Sequence, residues 1–131
     1  MNPPSEDIKD FLLDDSSLAL TFGTDLFVGY TPDSPDAVVG VYDSGGDGIE
    51  MDYTYERPSV QVRIRGDKGA YRAAQMRGQA IRDYLKGIVN QTKNSARYLA
   101  IWPKGDVLFI GRDEKNRPMF SVNFTAHRTN G

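Results

Sequence analysis

Residues 57–88 constrain the fold more than any other stretch, because they prescribe a strand, a tight turn and a long helix in immediate succession. In Ser59-Val60-Gln61-Val62-Arg63-Ile64-Arg65, the apolar Val60, Val62 and Ile64 alternate with Gln61, Arg63 and Arg65. That is the period of two of a strand with one buried face. Pro58 suits the strand entrance, and Gly66-Asp67-Lys68-Gly69 supplies a turn. Ala70, Ala74, Ile81, Tyr84, Leu85 and Ile88 then recur at three- and four-residue spacing, which predicts an amphipathic helix with one apolar stripe. Asp67 is placed to cap its start and Gly87 lies near its end. The stripe can lie on the strand's apolar face, so the rest of the chain is predicted to supply neighbouring strands.

Ahead of this unit, residues 5–14 predict a short acidic amphipathic helix, with Ser5 as its cap and Ile8, Phe11 and Leu12 on the side that covers the core. One strand is predicted near 26–30 and a second over 37–42. The turn cluster Thr31-Pro32-Asp33-Ser34-Pro35-Asp36 between them suggests a hairpin. Residues 43–52 are rich in glycine and carboxylates without helical or strand period, and predict an exposed loop. After the helix, 90–95 reads as a polar connection and 96–103 as a strand stopped by Pro103. Residues 107–112 and 119–127 read as the two strands of an antiparallel hairpin, with Phe120, Val122, Phe124 and Ala126 on the buried face. The predicted fold is α+β: a mixed, mainly antiparallel sheet packed by one long amphipathic helix, with a short N-terminal helix, in a single domain spanning residues 1–131.

Composition removes several classes of function. The chain has no cysteine, so thiolate zinc sites, cysteine nucleophiles and disulfide staples are excluded. Its formal net charge of −2, from 16 basic and 18 acidic residues, lacks the bias of a non-specific nucleic-acid binder. No apolar run approaches the ~20 residues of a membrane span, and residues 1–7 lack the basic start and apolar core of a secretion signal. The expectation is a soluble protein made in the cytoplasm. Asp43, Asp47 and Gly48 fit positions one, five and six of a calcium loop, but Gly45 and Thr54 stand where further ligands are required. His127 is the only histidine, too few for a transition-metal site or a histidine triad, and reads as a polar residue near a strand end. No glycine cluster is followed by the Lys-Ser/Thr pair of a phosphate cradle. No pair of carboxylates sits in a pattern that spans a common cleft. No catalytic residue, cofactor or metal is predicted.

What remains is surface. Positive charge gathers on residues 57–88, through Arg63, Arg65, Arg72, Arg77, Arg82 and Lys86, while negative charge gathers in residues 6–15 and 33–56. The asymmetry suits head-to-tail self-association, and it equally describes two solvated faces of mixed charge. The candidate contact residues are Arg63 and Arg65 on one side and Asp43, Asp47, Glu50 and Asp52 on the other. On this reading both arginines face solvent or another subunit and do not hold the fold together. The loop over 43–55 is expected to be mobile until a neighbour orders it.

Five ordered pieces carry a resemblance: Asp33-Ser34-Pro35-Asp36, Val41-Tyr42-Asp43-Ser44-Gly45-Gly46, residues 55–66 from Tyr55-Glu56-Arg57-Pro58 to Gly66, residues 110–118 from Ile110-Gly111-Arg112-Asp113 to Arg117-Pro118, and Phe120-Ser121-Val122-Asn123-Phe124. Together they resemble the minor capsid proteins of tailed bacteriophages whose fold is that of tail terminators. The resemblance implies a structural virion protein, assembled in the host cytoplasm, that forms a ring commonly of six subunits. Such a ring caps the finished tail tube and presents the tail for head-tail joining. The implied partners are further copies of the chain, the tail tube protein and the head-tail connector proteins, with no membrane and no specific nucleic acid. A head-completion or neck protein on the connector side shares the same size and charge, and an enzyme built on carboxylates stays a more distant alternative.

Overall fold

In the computed structural model, which describes residues 2–47 and 55–129, two helices and seven strands follow in the order α1 (Pro4–Asp14), β1 (Leu26–Val28), β2 (Val38–Asp47), β3 (Tyr55–Arg65), α2 (Tyr71–Lys86), β4 (Val89–Lys93), β5 (Ala96–Pro103), β6 (Leu108–Arg112) and β7 (Pro118–Thr129), with a 3-10 turn at Ser16–Leu18. All seven strands join one mixed sheet in the order β1-β2-β3-β7-β5-β4, and β6 also pairs with β7. The last strand is therefore the centre. β3 runs antiparallel along one edge of β7, while β6 and β5 divide the other edge, β6 pairing residues 118–121 and β5 pairing residues 124–129.

Register turns the alternation in the sequence into rows across the sheet. Val41, Val62 and Val122 lie side by side, as do Val39, Ile64 and Phe120, and Val60 lies opposite Phe124. All are at most 1% exposed, so one sheet face is a continuous apolar floor. Two helices share the cover over it. α2 contributes Ala74, Ile81 and Leu85, with Ile88 just beyond, and α1 contributes Ile8, Phe11 and Leu12. The turn that carries β3 into α2 needs glycine for space, since a Cβ at Gly66 would lie 2.8 Å from the Ala74 Cβ. The small residues at 66 and 74 let the helix start close against the strand it follows.

Several expectations are corrected. α1 begins at Pro4 with Pro3 as N-cap, so Ser5 lies inside the helix, and Asp43 of β2 instead accepts hydrogen bonds from its backbone N–H at 2.9 Å and from its Oγ at 2.7 Å. α2 has Ala70 as N-cap with no side-chain cap bond, and Asp67 takes part only through its carbonyl, which accepts from the Ala70 N–H at 3.0 Å. β1 and β2 are parallel, with Leu26 opposite Val39, because residues 29–37 travel back along the strands before β2 begins. The region expected to be an irregular loop continues β2 as far as Asp47, paired to Arg57 across an irregularity between Asp43 and Gly46. Gly46 is required there: its φ is +117° and a Cβ would lie 2.5 Å from the Arg57 carbonyl oxygen. Residues 48–54 of that loop lie outside the described residues. The polar connection over 90–95 is largely strand β4, turned into β5 by Asn94 and Ser95 at φ 51° and 70°.

Removing one ring from the apolar floor should unfold it measurably. Phe124→Ala is expected to lower stability by about 3–5 kcal/mol, read as a shifted midpoint in denaturant unfolding, because Phe124 is fully buried.

Candidate assembly surface

The sheet face opposite the helices carries the residues singled out by charge. Strand alternation places Gln61, Arg63 and Arg65 there, beside Asn123, Ser121 and Met119 of β7. Gln61 donates to Asn123 Oδ1 at 3.2 Å, and Arg63 Nε donates to Gln61 Oε1 at 2.7 Å. The Arg63 guanidinium also lies 5.0 Å from the centre of the Tyr42 ring. Arg63 is exposed and leaves most of its donors toward solvent.

Arg65 is different. Its Nε donates to the Asp36 carbonyl at 2.8 Å, and its NH2 donates to the carbonyls of Pro32 at 2.6 Å and Pro35 at 2.8 Å. The expectation that Arg65 serves only solvent or a neighbour is corrected, because the returning segment 32–36 places its carbonyls within reach of the guanidinium. Arg117 grips the same segment from the other side. Its side chain is 4% exposed. It donates to Asp113 Oδ2 at 2.7 Å, to the Asp33 carbonyl at 2.6 Å, to Asp33 Oδ1 at 3.0 Å and to Asp36 Oδ1 at 3.0 Å. Hydrogen bonding from Arg117, joined by the backbone N–H groups of Arg117 and Lys115, holds Asp113 down to about 2. Two of the pieces that carried the family resemblance, 33–36 and 110–118, are thus one ionic cluster. Sequence reasoning missed this, since nothing local links positions so far apart.

A second network closes the opposite end of the sheet. Tyr98 donates to Asp7 Oδ2 at 2.6 Å, Arg128 donates to the same oxygen at 3.2 Å, and Arg128 Nε pairs with Glu56. Asp7 is fully buried, so its charge is matched by Arg128 inside the core boundary. Burial first, and then the Asp7 carboxylate, push the Tyr98 hydroxyl pKa upward. Of the predicted acidic contacts, Asp43 is exposed and accepts two hydrogen bonds from Ser5 of α1. The Asp47 side chain, Glu50 and Asp52 lie outside the described residues. Within them, no group of three or more His, Asp or Glu side chains is arranged to hold a metal ion.

His127 sits on the outer face of β7. Its Nδ1 shares a hydrogen bond with the Tyr55 hydroxyl, its ring lies 4.1 Å from the Trp102 ring centre, and its Nε2 is buried without a partner. Burial, and secondarily Arg57, draw its pKa below the ordinary value.

Exposed apolar residues complete the surface. Leu108, Phe109 and Ile110 are consecutive in β6 and 58%, 41% and 42% exposed. Phe109 leans on Tyr71 and Phe120, with ring centres 5.1 and 5.3 Å away. The sequence reading placed this run in a hairpin strand, as observed, but run composition alone did not reveal that both faces of the strand would be open.

A family model described as bacteriophage tail terminator protein matches residues 15–130. The chain belongs to that family. Membership makes it a structural virion protein and not an enzyme, in agreement with the resemblance carried by its motifs. No curated protein matches the chain. Among solved structures, it is similar to a chain of the virion of a native gene transfer agent particle, with a TM-score of 0.75 at 14% identity, covering 95% of this chain and 93% of that one. At that identity the likeness concerns the fold.

Two outcomes are expected. Arg65→Gln should destabilise the protein by about 1–3 kcal/mol through its lost charged hydrogen bonds, while Arg63→Glu stays within about 0.5 kcal/mol; parallel denaturation curves check both. For pH, the unfolded chain protonates His127 below about 6.5 while the folded chain resists, so the contribution of His127 is complete above that value and is lost as pH falls. The Asp113 contribution disappears only at lower pH, as the solution falls from the ordinary carboxylate value of 3.8 toward about 2. Unfolding temperatures should therefore drop in two steps on acidification, and His127→Gln should remove the upper one.

Proposed function

We propose that this chain, as one tail-terminator-like domain over residues 1–131, caps the tail tube as a homo-oligomeric ring of six subunits and forms the tail-side surface to which the head connector attaches. The observation that carries the reading is the family match across residues 15–130. The surface is compatible with it. Polar clusters around Arg117 and Arg128 are satisfied within the chain, whereas Arg63 and the apolar run of β6 face outward. A protein whose burden is contact with copies and neighbours needs such patches, and it needs no pocket of converging acids. In this proposal Arg63 meets acidic residues of an adjoining molecule, with Asp47, Glu50 and Asp52 as the candidates, while Arg65 and Asp43 keep their internal roles. The ring forms on the tube after assembly in the host cytoplasm, and the isolated chain stays monomeric or in weak exchange.

The test is to assemble tails without this protein, add it back purified, and image the tube ends. Rings at one end, with head joining restored, are the expected result. Binding to isolated connectors with bare tube ends would favour a connector-side neck protein instead. A tight ring in free solution that ignores salt would contradict the dependence on the tube.

A further inference from the structure

Beyond the Arg65 end, which the 32–36 segment covers, the outer face of the sheet carries no acid among the described residues of its strands. The strand acids whose side chains are described turn the other way, Asp43 to Ser5 of α1 and Glu56 to Arg128. Cations on the outer face consequently meet neutral partners. Arg63 donates to Gln61 Oε1 at 2.7 Å, Arg97 to Asn90 Oδ1 at 3.3 Å, and Lys104 crosses β7 to the Ser59 hydroxyl. All three are exposed. Elsewhere the match is with carboxylates: Arg77 meets Asp25, Arg82 meets Asp106, Lys93 meets Asp14, and Arg117 meets Asp33 and Asp36. The net charge of −2 therefore hides a local excess of positive charge.

Rows across β3, β7 and β5 define what lies among those cations. Ser59 is opposite Thr125, which is opposite Trp102, and Gln61 is opposite Asn123. Trp102 is 59% exposed, with the His127 ring on one side of it. The centre of this area is polar and its large aromatic group stands at one side. A protein interface has the reverse arrangement, an apolar centre inside a polar rim. A second copy is also a poor source of anions, because its Asp14, Asp25, Asp33 and Asp36 are held by its own cations. Cations without carboxylates, neutral side chains that both donate and accept, and an indole open to solvent are the groups that hold a nucleic-acid strand, phosphates on the cations and a base on the ring. We infer that this face binds single-stranded nucleic acid, with Trp102 stacking on an unpaired base and Lys104, Arg63 and Arg97 contacting phosphates. Bases inside a duplex are already stacked on both sides, so an indole presented this way selects an unpaired strand. The inference goes beyond the ring reading and does not depend on it. Arg63 is common to both, so the test turns on Trp102 and Lys104.

Trp102 is the only tryptophan, so its fluorescence reports on the site directly. A mixed-sequence single-stranded oligonucleotide of about 12 nucleotides, added to the purified full chain, is expected to quench that emission to saturation. With three phosphate contacts, affinity should fall about a hundredfold for each tenfold rise in salt. Lys104→Glu should weaken binding about tenfold or more with an unchanged unfolding temperature. Lys86→Glu, the same charge change at an exposed site on α2, should bind like the parent. Trp102→Ala, followed by anisotropy of a labelled strand, should also lose about tenfold. Absence of binding at about 50 mM salt overturns the inference, as does equal binding by the Lys104→Glu and Lys86→Glu variants. A duplex of the same length that binds as tightly rules out the unpaired strand as ligand, and polyglutamate that quenches Trp102 equally well assigns the face to an acidic protein instead.

Discussion

The structure depends on β7 being paired along both edges. Backbone groups buried in the middle of a sheet must find partners, and β7 provides them for three other strands, β3 on one side and β6 and β5 in turn on the other. Its side chains at 120, 122, 124 and 126 supply the centre of the apolar floor. Without β7, the β2-β3 ladder and the β4-β5 hairpin have no common edge, and neither helix has a complete surface to cover.

Much of this was legible from local pattern. The strand, turn and helix over 57–88, the strand over 96–103 and the final hairpin follow from period-two and helical spacing, and the structure places all of them within a few residues. The failures share a physical origin. β4 carries Val-Asn-Gln-Thr-Lys and is exposed on nearly every residue, so an edge strand held by backbone pairing left no apolar alternation to read. Gly45 and Gly46 disguised the continuation of β2, because an irregular ladder dominated by glycine looks like a loop. The parallel arrangement of β1 and β2 was hidden for another reason. A turn-rich connection ordinarily signals a hairpin, and only Arg65 and Arg117, distant in sequence, show why this one travels back along the strands instead.

The candidate surface was half legible. Alternation placed Arg63 and Arg65 on the same sheet face, and they are there, but their environments diverge because the 32–36 segment covers one and not the other. Likewise Asp43 looked like one more acid in a loop, whereas its carboxylate serves the start of α1. Composition identifies charge; it does not tell which charges the fold consumes. The apolar run of β6 presents the converse case, since residues that read as core remain in solvent.

The position of β7 after the six other strands also bears on how the protein is made. As the polypeptide leaves the ribosome, β2 and β3 can pair with each other and α1 can begin to form, but the strand that joins the sheet's two halves is synthesised after the other six. Arg117, which gathers Asp33 and Asp36, and Arg128, which neutralises buried Asp7, arrive with it. Asp7, Asp33 and Asp36 therefore emerge well before the arginines that pair with them. The two halves of the sheet cannot be joined before then, because long-range strand pairing has to wait for both partners.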